Sequence, residues 1–436
     1  MKKELKNITI ANRISALVQS IRKKDPQFIF FSVDTARKRA SREQADRVLS
    51  RITDAYRTAG TSEIVTVENI LVLPLSPGKE RDYSGGLVRQ ATDDLIEEAI
   101  HIRSKSQTAV FAQELPLSVL KNIHLPSIPE INAVVMFGGI LFADFGRFLL
   151  ESLGRLWAYE KVKHLDPYVF FLLDSDPPDY LSTENFAYQI FTGFGIPLDK
   201  ILFVKEPSRL RAAIIPCQKY GFAQLLRPGQ DFLNFLRRFQ YTIQSPADFQ
   251  NVDRIYVSRS ALKPGSGKVA GEVFFEDYLK TQGYAIFHPE THTVEQQLSV
   301  YSNAAKIIFM DGSALRACVL LPDLSAEVAV IARKSNEKSD VPDQFSGYGQ
   351  QATWIDCVED QYLFGLESRQ AVCIIDWPAV SEKLNTSGFV SDMMYPVSRE
   401  AYYKNFRDEV CEHVKAIAAE PAFIDFLISR NPPKEV

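Results

Sequence analysis

Residues 254–322 decide the fold and read RIYVSRSALKPGSGKVAGEVFFEDYLKTQGYAIFHPETHTVEQQLSVYSNAAKIIFMDGSALRACVLLP. Arg254 to Val257 alternates polar with β-branched or aromatic residues, which predicts a strand. Apolar residues then recur at helical spacing up to Gly283, and Thr293 begins a second helix with a capping-box pattern. Such an alternation of strands and helices favours a parallel sheet with right-handed crossovers. The predicted strands of this α/β region are 254–257, 284–287, 306–310 and 328–331.

Polar residues follow the predicted strands, at the end where open α/β sheets bind ligands. Ser258, Arg259 and Ser260 follow the first strand, and the turn Asp311-Gly312-Ser313 follows the third. Glycine and serine in that turn let backbone N–H groups approach an anion, and a helix start carries about half a positive charge. The sequence therefore predicts a phosphate-binding edge.

Several short motifs stand out along the chain. A helix pattern, FADFGRFLLESLGRLW, lies upstream at 142–157. The others are RIYVSRS at 254–260, a basic residue followed by GE within 268–272, PE at 289–290, the helix around Gln296, and GSAL at 312–315. Together they resemble glycosyltransferase family 61, which includes bacterial capsular polysaccharide synthesis proteins and eukaryotic xylosyl- and N-acetylglucosaminyltransferases. The upstream helix resembles that family's GHFLxExLxRLW pattern.

The resemblance implies a GT-B architecture, in which two Rossmann-like α/β domains face each other across a cleft and a C-terminal helix crosses back. It also implies inverting sugar transfer from a nucleotide-sugar co-substrate, with no bound metal and no other cofactor. The chain differs from the family at two positions, because Arg147 and Arg316 stand where the family usually has histidine. Arginine stays protonated in proteins, so both changes remove a possible general base and add a permanent positive charge.

The resemblance and the residues at the strand ends together predict which residues form the donor site. Arg259, Lys268 and Arg316 would hold the leaving diphosphate, and Glu272 would bind the donor ribose or orient a lysine. Arg316 could equally face solvent, and Glu276, one helical turn after Glu272, is expected at the surface. The predicted donor-binding residues are Ser258, Arg259, Ser260, Lys268, Glu272, Gly312, Ser313 and Arg316.

Charged residues form one stripe on the upstream apolar helix, with Arg147, Glu151 and Arg155 at positions i, i+4 and i+8. Alone, the stripe is typical of a solvated salt-bridge ladder; with the resemblance, it would line the cleft. Glu151 is the first candidate for general base or acceptor anchor, although flanking arginines would lower its pKa. Asp311 is the rival catalytic candidate. The predicted acceptor or cleft residues are Arg147, Arg155, His288 and Glu290.

Composition bounds the possible functions. The chain has 436 residues, 46% of them hydrophobic and 24% charged, which is enough for two globular domains. A net charge of -4 argues against nucleic acid as the main partner, since binding to phosphate backbones is largely electrostatic. The five cysteines include no CxxC pair, and no apolar run is long enough for a membrane span, so we expect a cytoplasmic protein.

The predicted organisation has four parts: an N-terminal α/β acceptor-side domain at 1–243, a linker at 244–253, a nucleotide-sugar-binding Rossmann-like domain at 254–390 and a C-terminal helical segment at 391–436. Residues 12–22 are predicted to form an amphipathic basic helix that docks on the first domain or, as the less favoured alternative, rests peripherally on the inner membrane. Ser41 to Tyr56 predicts another helix. Strands of the first half are predicted at 28–31, 70–73, 132–136, 168–173, 201–204 and 212–215, and later strands at 353–358 and 371–375.

The leading hypothesis is an inverting glycosyltransferase that moves a sugar from a nucleotide-sugar to a glycan or lipid-linked acceptor in bacterial capsular or other surface polysaccharide synthesis. One alternative is a non-catalytic nucleotide- or glycan-binding member of a polysaccharide assembly. Another is a metal-dependent GT-A enzyme, because Asp174 and Asp176 follow an apolar strand as a metal-binding DxD motif would.

Overall fold

The computed structural model of the protein describes residues 63–77, 83–91, 93–105, 108–111, 113–114, 127–174, 182, 185–221, 223–242, 244–263, 266–334, 340–362, 371–394 and 397–416. The elements predicted at 12–22, 28–31 and 41–56 lie outside these residues. The chain divides into two compact units, Met1–Gln240 and Tyr241–Val436. This division lies just before the segment 244–253 predicted as a linker.

The first unit is built on a mixed eight-stranded sheet in the order β5-β2-β1-β10-β7-β8-β9, with β6 beside β10. β7 is parallel to β8 and β10, and β8 is parallel to β9, but the long β1 is antiparallel to both β2 and β10. A separate hairpin joins β3 to β4. The strands are β1 (Ile64–Pro77), β2 (Tyr83–Arg89), β3 (Ile102–Lys105), β4 (Thr108–Phe111), β5 (Gln113–Glu114), β6 (Glu130–Ile131), β7 (Val135–Leu141), β8 (Tyr168–Leu173), β9 (Ile201–Val204) and β10 (Ser208–Pro216).

This sheet has only in part the parallel pairing that the resemblance implies for a Rossmann-like first domain. The β10-β7-β8-β9 half is parallel, but β1 is antiparallel to both of its neighbours, and the four-residue strand predicted at 70–73 is part of this 14-residue strand. Its antiparallel pairing runs from Ile64 opposite Pro216 to Val72 opposite Ser208. A Glu68-Asn69 pair interrupts the apolar alternation of β1, and this hides its length from sequence reasoning. The α/β class is confirmed.

A continuous helical segment follows β7, as the motif at 142–157 predicts. It passes through α1 (Phe145–Arg147), a π-helix (Phe148–Ser152), a 3₁₀-helix (Leu153–Ala158) and α2 (Tyr159–Val162). Asp144 begins it, since its carboxylate accepts from the Arg147 backbone N–H at 3.0 Å. A π-helical turn is often found at functional sites. The unit's other helices are α3 (Phe186–Gly193) and α4 (Gln230–Leu236), with 3₁₀ turns at Glu97–Ala99, Lys163–Leu165, Leu198–Lys200 and Ala223–Leu226.

The second unit confirms the predicted parallel sheet, whose strand order is β13-β11-β14-β15-β16. A small second sheet has the order β12-β18-β17. The single strand predicted at 353–358 is instead two strands, since one ends at Ile355, the next begins at Val358, and the two belong to different sheets. The strands are β11 (Arg254–Val257), β12 (Lys268–Val269), β13 (Ala285–Phe287), β14 (Lys306–Met310), β15 (Glu327–Ile331), β16 (Ala352–Ile355), β17 (Val358–Tyr362) and β18 (Val372–Ile375).

The crossovers of this sheet are helical, as predicted. The capping box at Thr293 is present in full, since its side chain accepts from the Gln296 N–H and the Gln296 side chain accepts from the Thr293 N–H. The α-helices are α5 (Glu272–Thr281), α6 (Val294–Asn303), α7 (Val341–Gly347), α8 (Trp377–Thr386) and α9 (Arg399–Ala416), and 3₁₀-helices occupy Ala247–Phe249, Pro289–Thr291 and Ser313–Leu320. Within the described residues, no helix is long and apolar enough to cross a membrane.

The C-terminal helix α9 belongs to the core of the second unit. Tyr402, Phe406 and Val410 are buried in the cluster that contains Phe275 and Trp377. The sequence led us to expect a helix that crosses back to the first domain. Over Arg399–Ala416 the buried residues of the helix pack within its own unit, and the crossing back stays a prediction.

Candidate functional site

Four parallel strands of the second unit bring their following residues to one edge of the sheet. β13, β11, β14 and β15 are consecutive neighbours with parallel pairing. Their carboxyl ends are followed by His288, Arg259, Asp311 and, after Ala332, Arg333. The structure therefore brings three of the predicted site residues to one edge and adds a fourth residue, Arg333, that sequence reasoning missed.

Arg259 lies across the turn that follows β14. A Cβ atom placed on Gly312 would be 2.3 Å from the Arg259 Nη1. The guanidinium donates from Nη2 to the carbonyls of Ser266 and Gly267, at 2.8 and 3.2 Å. Its Nε is buried and has no hydrogen-bond partner among the described residues. Gly312 has an extended backbone, φ 174°, so the close approach of Arg259, and not backbone strain, requires a glycine there.

Arg333 approaches the same turn from the other side. It is 4% exposed, and its Nε lies 3.4 Å from the Asp311 carbonyl oxygen. Its Nη1 is buried without a hydrogen-bond partner among the residues that the structure describes. The sequence offers one signal for Arg333, which is its position two residues after the end of β15. A lone arginine in a loop is usually solvated, so this position does not by itself indicate a site.

The positive charges of Arg259 and Arg333 repel each other. Burial, and then the positive charge of Arg333, lower the pKa of Arg259 to about 10. Arg259 therefore stays charged at neutral pH, at an electrostatic cost. Two neighbouring guanidinium groups, each with a buried N–H group that has no partner among the described residues, are costly unless an anion accepts from them. The arrangement is suited to a phosphate or diphosphate.

A buried network supports the turn after β11. Glu272, the first residue of α5, accepts from the Tyr256 hydroxyl at 2.8 Å, the Arg259 backbone N–H at 2.8 Å and the Ser258 hydroxyl at 3.0 Å. Glu276 accepts from Ser258 at 2.6 Å and from the Ser260 hydroxyl at 2.5 Å. The expectation that Glu276 lies at the surface is wrong, since it is 8% exposed.

This network gives three predicted donor-binding residues internal partners. The hydroxyls of Ser258 and Ser260 are bound to glutamates, so the structure supports their role in shaping the turn. Glu272 bonds the backbone of an arginine, Arg259. Burial raises the pKa of Glu272, and the hydrogen bonds from Arg259 and Tyr256 oppose that shift only in part.

Two predicted phosphate-binding cations have protein partners. Lys268 is buried, and its Nζ donates to the Ser260 carbonyl at 2.5 Å and lies 3.8 Å from the Glu409 carboxylate on α9. Arg316 donates to Asp340 and to the Gln344 side chain, both at 2.6 Å. The Arg316 side chain therefore neither points freely into solvent nor lies at the sheet edge. Its hydrogen bonds link the 3₁₀-helix Ser313–Leu320 to α7.

The remaining predicted residues of this unit lie at or near the same edge. His288 is half-buried, and its Nδ1 is a buried nitrogen with no hydrogen-bond partner in the described part of the chain. Glu290 is exposed, whereas Asp311 and Ser313 are half-buried. Asp311 contributes a negative charge close to Arg259.

A second charged constellation lies in the first unit, around Glu151. This carboxylate is 3% exposed; its Oε1 accepts from the Arg147 Nε at 2.8 Å, and its Oε2 lies 2.9 Å from the Nε2 of His101. Sequence reasoning missed His101, which is 50 residues away along the chain. The alternative of a solvated salt-bridge ladder is therefore wrong, since Glu151 and Arg155 are both buried.

Arg147 has the most exposed side chain of this constellation. Its guanidinium lies 3.8 Å from the centroid of the Phe142 ring, donates to the Tyr83 hydroxyl at 3.3 Å and lies 3.6 Å from the Asp174 carboxylate. Asp174 was the first residue of the possible metal-binding DxD motif. In the structure its charge is paired with an arginine, and Asp176 lies outside the described residues.

Arg155, predicted for the acceptor site, has backbone partners. Its guanidinium donates to the carbonyls of Glu98 at 2.8 Å and Ile100 at 2.9 Å, and to that of Pro216. Gln218 bonds both backbone groups of Ile102. The segment that carries His101 is thus held from both sides, and this is a structural role for Arg155.

Residues 145–327 match the family model for Glycosyltransferase 61. The protein is a glycosyltransferase. The matched region contains Arg147, Glu151, Arg259 and Asp311, so both constellations fall largely within it. Arg333 and His101 lie outside it. No curated protein matches the chain.

Proposed function

We propose that this glycosyltransferase uses a nucleotide-sugar donor whose diphosphate is bound by Arg259 and Arg333 at the carboxyl edge of the parallel sheet. The observation that carries the proposal is the pair of buried guanidinium nitrogens without hydrogen-bond partners among the described residues. A diphosphate offers acceptor oxygens to both groups, and hydrogen bonds between charged groups contribute about 1.5–3 kcal/mol each.

The same two arginines suit the chemistry of the transfer. When the acceptor hydroxyl attacks the anomeric carbon, the bond to the diphosphate breaks and negative charge accumulates on the leaving group. Fixed cations that face this charge stabilise the transition state more than the ground state. We propose that they do so without a metal ion, and transfer that persists in excess chelator would support this.

Asp311 is the better placed of the two candidate bases. It is half-buried and close to Arg259, whereas both oxygens of Glu151 already have partners and the side chain is buried. A base must come within hydrogen-bonding distance of the acceptor hydroxyl. We assign Glu151 to holding Arg147 and His101 in place.

The wider setting follows from the family resemblance. We propose inverting transfer in a GT-B arrangement to a glycan or lipid-linked acceptor, as part of bacterial surface or capsular polysaccharide synthesis at the cytoplasmic side of the membrane. Arg147, His288 and Glu290 stay candidates for acceptor contacts.

The donor site is tested by calorimetric titration with a panel of nucleoside mono- and diphosphates. Arg259→Gln and Arg333→Gln should each weaken diphosphate binding about tenfold or more, because each removes a charged donor. Arg254→Gln is the matched control, since Arg254 begins the strand that Arg259 follows and donates to the Gln282 carbonyl. If the three variants bind diphosphates equally well, the proposed donor site is wrong.

A further inference from the structure

Two glutamates of α5 contact one serine hydroxyl. The Ser258 Oγ lies 3.0 Å from the Glu272 Oε1 and 2.6 Å from the Glu276 Oε1, and it also accepts from the Ser260 backbone N–H at 3.0 Å. A hydroxyl carries a single proton, so it can donate to only one of the two carboxyl groups. The other contact joins two oxygens with no hydrogen between them, and the repulsion in it is weaker if that carboxyl group is a neutral acid than if it is a charged carboxylate.

The hydrogen-bond partners of the two glutamates favour Glu276 as the anion. Glu276 accepts from Ser258 at 2.6 Å and from Ser260 at 2.5 Å, distances typical of hydroxyl groups that donate to a charged carboxylate. The Oε1 of Glu272 already accepts from Tyr256 and from the Arg259 N–H, both at 2.8 Å. Its Oε2 is buried with no hydrogen-bond partner among the described residues, which is unfavourable for a charged oxygen.

We propose that Glu276 is the carboxylate, that Glu272 is a neutral carboxylic acid with its proton on Oε2, and that Glu272 is the positioning residue that fixes Arg259 without neutralising it. Glu272 holds the Arg259 backbone through Oε1, yet in the neutral form it adds no negative charge beside the guanidinium. The full positive charge of Arg259 then remains available to an anion. The consequence for ligand binding rests on the proposed donor site; the location of the proton does not.

The charges around Glu272 support a neutral form. Burial raises its pKa, and Glu276, one helical turn away, raises it further. Arg259 and Tyr256 lower it, and Tyr256 is itself held neutral because burial raises its pKa well above the usual value. The charges of Arg333 and Asp311 affect the pKa of Arg259. Lys268 and Glu409 form a separate ion pair beside Ser260.

The location of the proton is tested by infrared spectroscopy of the full chain near neutral pH. Glu272→Gln should remove the band of a buried protonated carboxyl group, whereas Glu276→Gln should leave it. Glutamine matches the neutral acid in shape, so Glu272→Gln should also fold with an unchanged midpoint of thermal unfolding. A band that disappears in Glu276→Gln and persists in Glu272→Gln would overturn the assignment.

The consequence for Arg259 is tested with inorganic sulfate, whose charge is constant over the pH range used. In the wild type, sulfate affinity should fall as pH rises through the raised pKa of Glu272, because ionisation places a negative charge beside Arg259. Glu272→Gln should keep the neutral-pH affinity and lose this fall, and Glu272→Ala should bind more weakly than both. If Glu272→Gln lost sulfate affinity about tenfold at neutral pH, the charged form of Glu272 would be the one that supports binding, and the proposal would be wrong.

The two proposals fail in distinguishable ways. If the wild type binds no nucleotide and no sulfate, the donor site fails, and the infrared band alone still decides the state of Glu272. If nucleotides bind through Arg259 but the band is absent from the wild type, the neutral acid fails and the donor site stands.

Discussion

Residues of the same type have different roles in this glycosyltransferase. Arginine is the clearest case, because the chain uses it in three ways. Arg155 bonds buried backbone carbonyls, Arg316 pairs with Asp340, and Arg259 and Arg333 keep buried donors without partners among the described residues. Only the last use points to a ligand. Sequence spacing identified Arg259 but could not separate it from Arg316, since their partners lie in distant segments.

At Gly312 the structure gives a sharp residue-scale prediction. An alanine Cβ would lie 2.3 Å from the Arg259 Nη1, so Gly312→Ala should displace the guanidinium and weaken diphosphate binding about tenfold. The midpoint of unfolding should change little, because the backbone there is extended. Gly229→Ala is the control, since among the described residues beyond its chain neighbours no atom lies within 4 Å of the position that its new Cβ would take. Binding by Gly312→Ala at wild-type affinity would contradict the placement of Arg259.

Strands and helices could be predicted from the sequence where the local pattern of apolar residues matches the environment of the segment in the fold. The parallel strands β11, β13, β14 and β15 and the helices between them were predicted, because short apolar strands separated by capped helices give a strong periodic signal. The first unit was harder: β2 contains Gly85-Gly86, which masks a strand, and β1 is longer than its apolar stretch. The buried position of Glu276 and the His101–Glu151 contact depend on pairing between distant segments, which one sequence does not reveal.

Helix α9 carries the prediction at the element scale. Phe406 is fully buried in the core of the second unit, so Phe406→Ala should lower the free energy of unfolding by about 3–5 kcal/mol. Lys404→Ala on the same helix breaks an exposed pair with Asp408 and should cost less than about 1 kcal/mol. Thermal unfolding followed by circular dichroism compares them. Equal effects would mean that α9 does not pack as described.

The whole molecule consists of two units, each with its own buried cluster: one around β1, β7 and β10, the other around β11, α5 and α9. Separate cores favour separate unfolding transitions. The proposed donor site lies entirely in the second unit, so ligand binding should stabilise that unit's transition directly.

Differential scanning calorimetry of the full chain tests this division. Arg155→Met leaves buried carbonyls unpaired in the first unit and should lower one transition by roughly 5–10 °C, while Phe406→Ala lowers the other. A nucleoside diphosphate should raise the transition that Phe406→Ala lowers, and Arg333→Gln should reduce that rise. A single transition that both core variants shift equally would show that the two units unfold together. A rise confined to the transition that Arg155→Met lowers would place the nucleotide in the first unit and remove the donor site from the parallel sheet.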